Sequence, residues 1–148
     1  MVRRGRVSWL THPPRGEARI GVESRAFGAT PVALPEGDPV PGEAAPGELL
    51  AVTHATFMAA ALSEVLAEAG SPANELVVSA DCTFAGPLPE RELVAVDLRV
   101  HGRVPGLEEG GFDAAVAVAH RRYLRSSGLR ADIPGELRAV LQHAGVRA

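Results

Sequence analysis

The sequence predicts an α+β fold with an antiparallel sheet, and three observations carry that reading. Stretches before residue 25 and between 75 and 104 alternate apolar and polar side chains, the period of half-buried strands. Between them lies one long apolar helical stretch, Pro46 to Gly70. Other helical patterns come late. This order is that of an α+β chain, not of repeated βαβ units. With 148 residues, no internal repeat and no linker, one domain spanning 1–148 is expected.

Residues 6–11 alternate, with Val7 and Trp9 on one face. Residues 18–24 do so more clearly: Ala18, Ile20 and Val22 oppose Arg19 and Glu23. The two predict an antiparallel hairpin around His12–Gly16. Prolines at 31, 35, 39, 41 and 46 leave room for one short strand, near Val32 to Leu34.

Pro46 suits a first helical turn and Gly70 a stop. Between Leu49 and Leu62 only Thr53, His54 and Thr56 are polar, so this helix should be covered on most faces. Glu64 and Glu68 give its end a wet stripe. In Glu75–Ala85, Val78, Ala80, Cys82 and Phe84 share a face. In 93–104, Val94, Val96, Leu98, Val100 and Val104 oppose Asp97, Arg99, His101 and Arg103. A second helix, from Glu108 or Gly111 to Leu124, buries Phe112, Ala115, Val116, Ala119 and Tyr123. A third is expected over 134–145, opened by Pro134, with Leu137, Val140 and Leu141 on one face.

All 15 basic residues are arginine, and the net charge is −3, with no basic block beyond Arg3, Arg4 and Arg6. No nucleic-acid partner is expected. No apolar run reads as a membrane span and none as a signal peptide, so the expected location is cytoplasmic. One cysteine, Cys82, excludes an internal disulfide. No metal or cofactor is expected. Covering the central helix strains so short a chain, and a homodimer contributing a second sheet and a second helix would relieve it.

Three stretches in order resemble the OsmC/Ohr family, thiol peroxidases that reduce organic hydroperoxides: PGELLAVTHATFMAAALSEVLAEAG, VDLRVHGRVPGLEEGGFDAAVAVA and YLRSSGL. In the last, Ser126 and Leu129 match a Cys-Pro-x-Ser-x-x-Leu motif. RVSWLTHPPRGEARI is similar to the family's first two strands. The resemblance covers about residues 6–133. It implies an intertwined homodimer in which antiparallel sheets wrap two long central helices. It also implies a two-cysteine mechanism, with an arginine and a glutamate lowering the peroxidatic thiol's pKa.

On that resemblance the peroxidatic position is Phe57 and the resolving position Tyr123, and neither side chain forms a thiolate. Arg15 falls where the Ohr branch has its catalytic arginine. The glutamate position falls on Gly47, with Glu48 about 100° round the helix. Catalytic residues are therefore not expected.

The pocket candidates are Arg15, Glu48, His54, Phe57 and Tyr123, each open to two readings. Phe57 and Tyr123 are a stacked pair lining a pocket, or plugs in the old cysteine site. His54 is a base or ligand, or a hydrogen-bonded group in the core or at a dimer seam. Arg15 binds an anion, or is a solvated turn residue. Cys82 is a relocated thiol, or a small core residue.

Three functions follow. The first is a non-peroxidase homodimer binding a small apolar or hydroperoxide-like ligand at its interface. The second is a hydroperoxide reductase using Cys82 and an external thiol. The third is a structural or partner-binding dimer with a filled pocket.

Overall fold

The N-terminal alternation folds into the expected hairpin. β1 (Gly5–Leu10) pairs antiparallel with β2 (Glu17–Val22), placing Val7 opposite Ile20 and Arg6 opposite Gly21. The structure, a computed structural model, describes residues 1–10, 17–33, 41–87, 90–130 and 132–142. They form two units, Met1–Leu50 and Ala51–Ala148. In the first unit β3 (Thr30–Val32) joins β2 antiparallel, slightly earlier than the expected strand; Leu34 lies outside the described residues. Beyond it, Val32 bridges to Ala44, with backbone bonds Ala33 N to Ala44 O and Ala44 N to Pro31 O.

α1 spans Pro46–Glu68. Its start has a physical cause: the Ala45 backbone N–H donates to Glu48 Oε1 at 2.9 Å, a third-residue carboxylate reaching back to the cap. Its stop is a Schellman motif. Gly70 takes φ +76°, Gly70 N donates to Ala67 O, and Ser71 N donates to Leu66 O.

In the second unit β4 (Glu75–Ala85) pairs antiparallel with β5 (Glu92–Arg103), with a register shift between Thr83 and Phe84. α2 (Glu109–Ser126) follows. The core joins Met58, Leu62 and Leu66 of α1, Leu98 and Val100 of β5, and Phe112, Val116, Ala119 and Tyr123 of α2. Each large side chain fully buried there contributes about 1.5–3 kcal/mol. Gly102 in β5 makes room for Phe112: a Cβ there would sit 2.6 Å from the ring's Cζ. Arg122 clamps Glu68 bidentately, Nη1 to Oε1 at 3.0 Å and Nη2 to Oε2 at 2.7 Å, tying α2 to the end of α1.

Two expectations are corrected here. The described part of the third helix is instead a strand, β6 (Leu137–Leu141), pairing parallel with β5, so the sheet is mixed, in the order β4-β5-β6. The cause is non-local. Val96 N and Leu98 N of β5 need acceptors and find Pro134 O and Glu136 O. Leu137, Ala139 and Leu141 then point inward while Val140 is 48% exposed, which is period two and not the period of a helix.

The second correction concerns α1. By length and composition it could cross a membrane, its richest window having a mean hydropathy of 1.6, because an average tolerates the polar Thr53, His54 and Thr56 that break the run. Only 33% of that window is buried. His54, Met58, Ala61, Leu62, Val65 and Leu66 form the buried face, while Val52 is 64% and Phe57 39% exposed. A helix expected to be covered nearly all round is covered on one face of this chain.

Candidate functional site

His54 stands one turn before Met58 and two turns before Ala61 and Leu62, so helical spacing sets it on the buried face of α1. Tyr123 closes the stripe of α2 that starts with Phe112. Their meeting follows from those two stripes. Tyr123 Oη and His54 Nδ1 are 2.9 Å apart, in residues only 1% and 3% exposed. The rings meet edge to face, centroids 5.8 Å apart and planes at 73°. His120, one turn before Tyr123, stacks on the phenol ring at 5.7 Å and 24°.

Burial lowers the pKa of His54 and of His120 and raises that of Tyr123. The cluster is therefore neutral at neutral pH. In the Nε2-protonated tautomer of His54, the phenol donates to Nδ1; in the other, Nδ1–H donates to the phenol oxygen. Either way the bond satisfies the buried Nδ1 and the buried phenol oxygen.

The two positions that the resemblance gives to cysteines part company. Tyr123 is sealed in the core, while Phe57 lies on the uncovered face of α1. Among the described residues the ring partners of Tyr123 are His54 and His120, and no ring contact joins it to Phe57. The stacked pair considered from sequence is not formed within this chain.

Glu48 serves as the cap of α1, as its bond to Ala45 shows. Arg15 lies outside the described residues. Cys82 is half-buried on β4, not fully buried as its strand face suggested. Its pKa is raised, first by burial and then by the negative charge of Asp81. A peroxidatic thiol needs the opposite shift. Cys82 and Ser127 both lie near enough to Tyr123 to influence its ionisation.

Sequence reasoning missed His120 and the convergence of Cys82 on Tyr123. The first was legible: positions 120 and 123 are one turn apart. The second depends on how β4 faces α2, and no local signal carries it.

Solved structures match this fold. An organic hydroperoxide resistance protein, OsmC, of Legionella pneumophila aligns with TM-score 0.63 at 16% identity, over 96% of this chain and 97% of its own. One from Elizabethkingia anophelis, with crystallant-derived thiocyanate bound, aligns with TM-score 0.65 at 16% identity, over 97% and 98%. An OsmC-like protein of unknown function from Vibrio cholerae aligns with TM-score 0.73 at 9% identity, over 96% and 99%. No family model matches the chain, and no curated protein matches it in sequence. At these identities the likeness establishes the fold: the chain has the OsmC/Ohr fold.

Proposed function

We propose that the chain is a divergent member of the OsmC/Ohr family, a cytoplasmic homodimer that has lost thiol peroxidase chemistry and binds a small apolar molecule where two copies meet. One observation carries the loss of chemistry: a buried, hydrogen-bonded Tyr123–His54 pair stands where the resemblance places the resolving cysteine. The remaining thiol, Cys82, is shifted away from thiolate by burial and by Asp81. It has no second thiol in the chain to form a disulfide with.

The binding half of the proposal rests on the outer face of α1. Val52 and Phe57 are apolar and exposed, and Thr53, Thr56 and Ala60 extend the same side. A second copy laid on this face would bury it and leave Phe57 at the seam as a contact for a ligand. The filled-site reading keeps one supporting observation, the 1% exposure of Tyr123. On that basis the ligand contact is assigned to Phe57 and not to Tyr123.

Sedimentation velocity and titration with the uncharged apolar dye Nile red test both halves. The wild type should sediment as a dimer at micromolar concentration, and Phe57→Asp as a monomer. Phe57→Ala should stay dimeric and lose most dye enhancement. A stable 15.4 kDa wild-type monomer would overturn the dimer. Undiminished dye binding in Phe57→Ala would overturn the ligand contact.

A further inference from the structure

The geometry points to a second binding site, in the N-terminal unit, for a small organic oxyanion with an apolar body. A cleft of about 320 Å³ opens between the start of β1 and the turn that follows β2, a volume within the range of small-molecule sites. Among the described residues Arg4, Arg6 and Arg25 line it against a single acid, Glu23, in a chain whose net charge is −3. Arg4, just before β1, and Arg6 reach it together: Glu23 N donates to Arg4 O at 3.0 Å, continuing the ladder by one residue, and alternate residues of extended backbone share a face. Arg6 lies opposite Gly21, a lining residue without a side chain, so bare backbone forms part of the wall.

The charges are unequally engaged. Arg4 Nη1 donates to Glu23 Oε1 at 3.2 Å. Among the described residues the Arg6 and Arg25 guanidinium groups make no hydrogen bond or ion pair. Two unpaired guanidinium forks on one concave surface suit a carboxylate or a phosphate, each of which accepts paired N–H donors.

The turn itself is held in an unusual shape. Arg25 has φ +60°, a conformation uncommon for a residue with a side chain. It is fixed by Arg25 N to Val22 O at 2.9 Å and Val22 N to Phe27 O at 3.1 Å. The same turn presents Phe27, 44% exposed, at the cleft. Guanidinium groups beside an aromatic ring supply both halves of the specificity: the oxyanion on Arg6 and Arg25, the apolar body on Phe27.

Calorimetric titration of the full chain at low salt tests this with three probes: phenyl phosphate, phenylacetate and inorganic phosphate. At least one phenyl compound should bind one per chain, about tenfold tighter than inorganic phosphate. Whichever binds more tightly identifies the headgroup as phosphate or carboxylate. Arg25→Gly retains the left-handed turn and removes the guanidinium, and should cost about tenfold in affinity. Arg6→Gln should do likewise without touching the turn, so a misfolded Arg25→Gly leaves the test standing. Phe27→Ala should reduce the phenyl probes to the level of inorganic phosphate. Arg3→Gln, outside the cleft, should change nothing. Phenyl probes no tighter than inorganic phosphate, or undiminished affinity in Arg6→Gln, would overturn the assignment.

Discussion

Phe57 and Tyr123 hold equivalent places in the resemblance, one for each cysteine of a thiol pair, yet the fold treats them in opposite ways. Tyr123 is sealed among core side chains, its hydroxyl satisfied by His54 and its ring covered by His120. Phe57 faces outward, without a ring partner among the described residues. A position built into a core constrains its replacement by shape and by hydrogen bonding. A position on an uncovered helix face constrains it only through whatever comes to lie on that face. The two positions that the resemblance gives to thiols therefore differ in kind: a buried, hydrogen-bonded side chain at 123 and an exposed one at 57.

Tyr123→Ala should break the comparison most. It removes a fully buried ring and strands His54, so urea unfolding should show a loss of about 3–5 kcal/mol. Tyr123→Phe isolates the hydrogen bond, leaving His54 Nδ1 without its partner, at about 1–3 kcal/mol. A Tyr123→Phe protein as stable as wild type would mean that the bond contributes nothing and that shape alone locks the position.

Gly102→Ala probes the floor of the same core. Its Cβ would fall 2.6 Å from Phe112 Cζ, so overpacking of about 1–3 kcal/mol is expected in the same unfolding assay.

A pH series sharpens the contrast further. His54 and His120 have pKa values lowered by burial in the folded chain, from an ordinary value of 6.5. Below that value the unfolded chain takes up protons that the folded chain refuses. Stability from this source is complete above about pH 6.5 and falls as pH drops through the lowered values. The urea midpoint should be flat from pH 7 to 8 and decline toward pH 5, with a shallower decline in His54→Phe. A midpoint rising on acidification would contradict a buried neutral pair.

Phe57→Ala should have the smallest effect on intrachain stability. Its side chain is 39% exposed, so at concentrations below dimer formation the change should stay under about 1 kcal/mol.

Much of this fold was legible because long elements carry their own period. Glu75–Ala85 and the helix from Pro46 could be bounded from residue types alone. β6 was misread because Leu137, Val140 and Leu141 also fit helical spacing after a proline. What decides against the helix is the row of unpaired donors on β5, more than thirty residues earlier, which no local pattern encodes. At the site, His54 and Tyr123 were both nameable, but their bond joins residues 69 apart and depends on how α1 and α2 face each other. The role of Glu48 was hidden for a simpler reason. A carboxylate three residues into a helix has a local task, and the residue it caps here is Ala45, not the usual serine or threonine.

The proposed loss of peroxidase chemistry turns on one assay: consumption of cumene hydroperoxide with dithiothreitol as reductant, for wild type and Cys82→Ala. With Cys82 held toward the thiol, and tyrosine and phenylalanine at the two positions the resemblance gives to thiols, both proteins should consume peroxide at the buffer rate. Catalytic consumption by the wild type, abolished in Cys82→Ala, would contradict it and make Cys82 the working thiol.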